Sequence, residues 1–106
     1  LNLPMEYGTP RKELLKAFAD SLDAFAAKMK PQLVLLSAGF DAHRLDPVGD
    51  LGLETEDFLP LTDLVLDVAE SYAGGKFISV LEGGYDPTIL ADCVELHLQA
   101  MLKRRA

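Results

Sequence analysis

An α/β architecture built on a parallel sheet is what this sequence predicts, on three observations. Two short runs, Leu33-Val34-Leu35-Leu36 and Phe77-Ile78-Ser79-Val80-Leu81, are almost wholly apolar. Three longer stretches before, between and after them repeat apolar residues at steps of three and four. Proline, glycine, threonine and aspartate fall at the joins. Helices alternating with buried strands imply parallel pairing through right-handed crossovers.

The first helix begins at Thr9-Pro10, read as a hydroxyl N-cap with proline at the first helical position. Leu14, Leu15, Phe18, Leu22, Phe25, Ala26 and Met29 then form one apolar stripe, and Pro31 ends it. The run Leu33 to Leu36 is expected to be a parallel strand covered on both faces. Ser37 to Leu53 reads as a polar, glycine-containing loop.

A second helix is expected from a cap near Thr55, with Glu56 and Asp57 in its first turn. Phe58, Leu61, Val65, Val68 and Tyr72 supply its stripe, and Gly74-Gly75 closes it. Pro60 implies either a later start or an irregular first turn. The second strand, Phe77 to Leu81, runs into the tight turn Glu82-Gly83-Gly84-Tyr85. Asp86-Pro87 repeats the cap-plus-proline start, and Leu90, Cys93, Val94, His97, Leu98 and Met101 give the last helix its inner face. A short strand is also expected at the opening Leu1-Asn2-Leu3-Pro4, which reads as the interior of a longer protein. Three strands are thin for a free-standing sheet, so partner strands are expected upstream.

Composition narrows the function classes. The chain has 106 residues, enough for one domain at most. Its net charge of −7 and pI near 4.6 repel phosphate backbones, which argues against direct nucleic-acid binding. The one basic cluster, Lys103-Arg104-Arg105, is expected to serve the dipole of the last helix. No apolar run approaches the 18 residues of a membrane span. A single cysteine, Cys93, excludes an intrachain disulfide and points to a reducing, cytoplasmic setting.

In parallel sheets ligands bind outside the carboxyl ends of the strands. Two segments fall there, Ser37 to Gly49 and Leu81 to Pro87, and adjacent strands would bring them together. Asp41 is a possible oxygen ligand for zinc or another divalent ion. On spacing alone the better expectation is a turn cap, as for most loop aspartates. His43, two residues on, is either a partner of Asp41 in a metal pair or, better, an exposed loop histidine. Gly83 and Gly84 precede a helix start, where backbone N–H groups take anions, or else they only permit the chain to reverse. Tyr85 is either packed on the helix or positioned to donate a hydrogen bond to a developing oxyanion. Cys93 reads as a small core residue and His97 as a residue at the rim of the last helix's inner face.

Taken jointly, the two loops are specific. LVLLSAGFDAHRLDPVGDLGLETEDF resembles the late metal-ligand segment of the histone-deacetylase family, which includes acetoin-utilization and acetylpolyamine amidohydrolase relatives. ISVLEGGYDPTILADCVELHL resembles the glycine-glycine-tyrosine segment that follows it, and LNLPMEYGTP the strand and turn that precede both. The order and spacing match over nearly the whole chain.

The resemblance implies the C-terminal part, residues 1–106, of a larger three-layer α/β/α domain of the arginase/deacetylase kind. Asp41 matches the zinc ligand nearest the C-terminus, and Tyr85 the tyrosine that hydrogen-bonds the substrate carbonyl. Gly83 and Gly84 match glycines that wall the acyl-lysine channel. Val48 falls where relatives usually carry a channel-lining leucine, and an acidic residue there goes with polyamine substrates. His43 matches a position that is not a ligand. The implied chemistry is zinc-assisted hydrolysis of an acetylated protein or a small acetylated amine, giving acetate and a free amine. The family's other two zinc ligands and its paired histidines have no counterpart in this chain. The alternative reading is a non-catalytic module that binds an anionic small molecule at the Gly83-Gly84 turn.

Overall fold

A computed structural model of the chain describes residues 1–104. Its elements are helix α1 (Arg11–Met29), strand β1 (Val34–Ala38), a one-turn 3-10 helix (Thr55–Asp57), helix α2 (Phe58–Tyr72), strand β2 (Phe77–Leu81) and helix α3 (Pro87–Lys103). β1 and β2 pair in parallel, in register from Val34 with Phe77 to Ala38 with Leu81. This is the expected α/β alternation with α2 as the crossover. The expected opening strand is not there, since no strand precedes α1.

The start of α1 also differs from expectation. The Thr9 hydroxyl donates to the Glu6 carbonyl at 2.7 Å and closes a turn around Gly8, whose φ is +91°. It therefore cannot cap the helix, and Pro10 stands at the N-cap position instead of the first helical one. The start of α2 resolves the difficulty of Pro60. The 3-10 turn absorbs the irregularity, and Pro60 is the third residue of α2. Its missing N–H is then one of the donors that a first turn leaves without a partner anyway.

That first turn is fixed by Asp57. One of its oxygens accepts the Glu54 N–H at 2.8 Å, and both are gripped by the Arg11 guanidinium at 2.7 and 2.8 Å. The grip raises the pKa of Arg11 and, against the cost of burial, lowers that of Asp57. At the other end Gly74 and Gly75 take φ of +61° and +78°, and the Gly75 N–H returns to the Ala69 carbonyl, as the double glycine predicts. Asp86 caps α3 by accepting the N–H groups of Thr88 and Ile89, with Pro87 at the first position.

The core gathers Leu14, Ala38, Phe40, Leu53, Phe58 and Cys93, with the rings of Phe40 and Phe58 edge to face at 5.1 Å. α2 lies between α1 and α3, so it buries Thr62, Leu66 and Ala69 beyond the single stripe that periodicity marks. α1 is covered less than its stripe suggests, because Phe25 and Met29 stay exposed at its far end. Arg104 does more than serve the helix dipole. It reaches Asp63, Asp67 and Glu70 of α2 at 3.3, 2.8 and 2.9 Å and staples the end of α3 to that helix. Arg105 of the same cluster lies outside the described residues.

The strands are covered on one face only. Leu36 and Ala38 pack into the core, whereas Leu35, Ile78 and Val80 are 68%, 51% and 53% exposed. The described residues contain no element that lies over this second apolar face, which is where the expectation of two covered faces fails. Beside β1, a cavity of about 350 Å³ opens between Leu3, Met5, Phe18, Leu36 and Leu51.

Candidate functional site

The two loops leave the sheet as neighbours because the ladder continues past the strand ends. The Glu82 N–H donates to the Ala38 carbonyl at 2.9 Å, and the Phe40 N–H to the Gly83 carbonyl at 2.8 Å. Beyond that point one side chain hydrogen-bonds across them. Asp46 is buried, with one oxygen accepting the N–H groups of Val48 and Gly49 at 2.9 Å each. Its other oxygen accepts the Tyr85 N–H at 2.8 Å from the second loop. Burial pushes the Asp46 pKa up, but these three backbone donors outweigh it and hold the carboxyl below its usual range.

Asp41 is half-buried and set against glycine on several sides. A Cβ added to Gly83 would lie 2.5 Å from Asp41 Oδ1, and one added to Gly39 2.9 Å from the same oxygen. A Cβ on Gly49 would fall 2.1 Å from the Asp41 carbonyl oxygen, which accepts the Asp50 N–H at 2.8 Å. The carboxylate of Asp41 thus rests on the backbone of the second loop. Asp46 and Asp50 spend their carboxylates on N–H groups of their own loop, and Asp46 on Tyr85 as well. Asp41 makes no such bond to a described residue, so its oxygens stay available to a ligand. Tyr85 and Val48 carry side chains that are 54% and 69% exposed on either side of the tie through Asp46.

His43 is not the exposed loop histidine expected. It is 2% exposed, its Nδ1 accepts the Leu45 N–H at 3.1 Å, and its Nε2 lies 3.1 Å from the Thr55 hydroxyl. Both ring nitrogens are committed, so it forms no metal pair with Asp41. Its backbone bridges Leu53 and closes the base of the loop. Cys93 is a core residue as expected, fully buried, with its thiol pKa pushed up by burial. His97 is buried as well, and not at a rim, between Thr62 and Ser79 at 2.8 Å each. Among the described residues no three His, Cys, Asp or Glu side chains converge as a metal site, so Asp41 lacks the two further protein ligands of a catalytic zinc.

The geometry speaks against an anion at the Gly83-Gly84 turn. The donors that the start of α3 would add are already taken, that of Tyr85 by Asp46 and those of Thr88 and Ile89 by Asp86. The Asp41 carboxylate moreover lies against Gly83 and would repel a second negative charge.

A family model for the histone deacetylase domain matches residues 1–101. The chain belongs to the histone deacetylase family. It is 38% identical over 106 residues to Type-2 histone deacetylase 2 of Dictyostelium discoideum, covering 97% of this chain and 6% of that protein. With the Polyamine deacetylase HDAC10 of Mus musculus the identity is 39% over 103 residues, covering 96% and 15%. With the Histone deacetylase-like amidohydrolase of Pseudomonas aeruginosa it is 32% over 93 residues, covering 88% and 24%. The chain thus spans between 6% and 24% of the length of these relatives.

The residue that sequence reasoning missed is Asp46. Asp46-Pro47-Val48-Gly49 reads as a turn closed on itself, and one carboxylate oxygen does satisfy that turn. The turn uses only one of the two oxygens, and the acceptor it leaves free beside the other loop is the available signal.

Proposed function

We propose that this chain is the C-terminal part of the catalytic domain of a metal-dependent deacetylase, a three-layer α/β/α domain that hydrolyses N-acetyl groups. The observation that carries the reading is the joining of the two loops by Asp46, which sets Asp41 against Gly83 and holds Tyr85 two residues further on. In this reading Asp41 is one oxygen ligand of a zinc ion. Its carboxylate fits that role because it is half-buried and takes no hydrogen bond from the described residues. One carboxylate is short of the three protein ligands that a catalytic zinc requires, so the remaining ligands and a general-base histidine come from outside this chain.

Zinc bound there would polarise the acetyl carbonyl and lower the pKa of water. The phenol of Tyr85 donates a hydrogen bond to the oxygen that becomes negative as the carbonyl is attacked. Gly83 and Gly84 let the chain pass close to the acyl group, and Val48 lines the approach. The products are acetate and a free amine, from an acetylated protein or a small acetylated amine. The apolar face of Leu35, Ile78 and Val80, with the cavity beside β1, supports docking against the upstream part of the same domain. The 106 residues alone are then inactive.

The test is acetyl-lysine hydrolysis by the complete protein with and without Tyr85→Phe. Loss of an oxyanion donor should lower kcat on the order of a hundredfold or more. An unchanged kcat removes Tyr85 from the mechanism.

A further inference from the structure

We infer that Asp46 is a positioning residue which fixes both the catalytic tyrosine and the channel-lining Val48 from a single buried carboxylate. The inference rests on the reading of Tyr85 and Val48 given above and deepens it.

Four features carry it. Asp46 bonds across 39 residues of sequence to the Tyr85 N–H, at 2.8 Å, and that residue's own side chain is 54% exposed. An exposed phenol is held weakly by packing, so its placement depends on its backbone. The same carboxylate accepts the Val48 N–H, so the backbones of residues 48 and 85 are referred to one charged group. Asp46 is itself 7% exposed, with its oxygens satisfied by donors of both loops, and charge-assisted bonds of this kind are short and directional. The neighbouring Gly84 has φ of +131°, and a Cβ there would meet Leu90 at 2.7 Å. The turn is thus tightly specified on one side by α3 and on the other by Asp46.

A group that places the oxyanion donor acts on the transition state, so its loss falls on kcat more than on KM. In the complete protein, Asp46→Ala should lower kcat on acetyl-lysine about ten- to a hundredfold, the effect of a small misplacement. In the Tyr85→Phe background the same change should cost little more, because the donor being positioned is already gone. Amide hydrogen exchange should quicken at Tyr85 and Val48 in Asp46→Ala while the middle of α3 stays protected.

A merely structural role predicts the opposite split, in which the two losses multiply, and that result overturns the inference. So does unchanged exchange at Tyr85. If Asp46→Ala does not fold, Asp46→Asn is read in its place. It keeps the volume and one acceptor, but sets an amide NH2 against the donors of one loop. A Tyr85→Phe protein with full kcat, together with faster Tyr85 exchange in Asp46→Ala, discards the oxyanion role and leaves the clamp standing.

Discussion

The Nδ1 of His97 lies 2.8 Å from the hydroxyl of Thr62, and this pair fixes the protonation of a buried ring. Thr62 already donates its proton to the Phe58 carbonyl at 2.7 Å, so it must accept from the imidazole. Nδ1 then carries the hydrogen, and Nε2 accepts from the Ser79 hydroxyl. One neutral tautomer therefore ties α2, α3 and β2, with Phe40 edge-on to the ring at 5.6 Å.

Acid should loosen this junction. Burial pushes the His97 pKa below its ordinary value, so the unfolded chain binds a proton that the folded chain resists. The stability is fully present above the unfolded pKa. It falls as pH drops from there towards the lower folded pKa, with a slope of at most about 1.4 kcal/mol per pH unit for one site. Urea unfolding between pH 7.5 and 5 should show that slope, and His97→Gln should flatten it. A slope that survives the substitution assigns the effect to another group.

Gly83 tests the contact between the loops. An alanine methyl there would sit 2.5 Å from Asp41 Oδ1 and 2.6 Å from its Cγ, so the carboxylate has to leave. Overpacking of this kind costs roughly 1–3 kcal/mol. Gly83→Ala should therefore lower the unfolding midpoint modestly, and should weaken metal retention by the complete protein far more than Gly74→Ala, which strains its own backbone at φ +61° but meets nothing within 4 Å. Equal metal retention in the two variants would mean that Asp41 holds no metal.

Both strands, α3 and the glycine stop of α2 were legible because each is signalled locally, by an apolar run, by Asp86-Pro87 or by Gly74-Gly75. The opening was not, because Leu1-Asn2-Leu3-Pro4 has no described strand beside it to pair with. Nor was the environment of His43 and His97, since their rings are held by Thr55 and by Thr62 and Ser79, which are distant in sequence. The adjacency of the two loops that carry Asp41 and Tyr85 was legible through the parallel order of the strands. The side chain that ties their loops was not, because its bond to Tyr85 spans 39 residues.

Val48 offers a test of specificity. Its side chain is 69% exposed while its N–H is held by Asp46, so a larger side chain there projects outward without moving the backbone. Val48→Glu adds a negative charge at the approach to the site and favours cationic amines over neutral ones. In the complete protein the ratio of kcat/KM for an acetylated polyamine to that for an acetyl-lysine peptide should rise about tenfold, equivalent to roughly 1.4 kcal/mol. The ratio should change mainly through KM, since the charge acts on binding and not on the oxyanion. An unchanged ratio places Val48 away from the substrate.

Zinc binding separates what this chain supplies from what it lacks. No pair of His, Cys, Asp or Glu side chains converges on Asp41 among the described residues. A single carboxylate competes poorly with water for a divalent ion, and the backbone tie through Asp46 adds no further ligand. Calorimetric titration of the 106-residue chain should thus give no tight one-to-one zinc binding, while the complete protein binds zinc and loses most of that affinity in Asp41→Ala. His43 should not substitute, because Leu45 N–H occupies its Nδ1 and Thr55 faces its Nε2. Tight stoichiometric binding by the isolated chain would show that a second donor set exists within it, and Asp41 would no longer be a ligand waiting for partners from elsewhere in the domain.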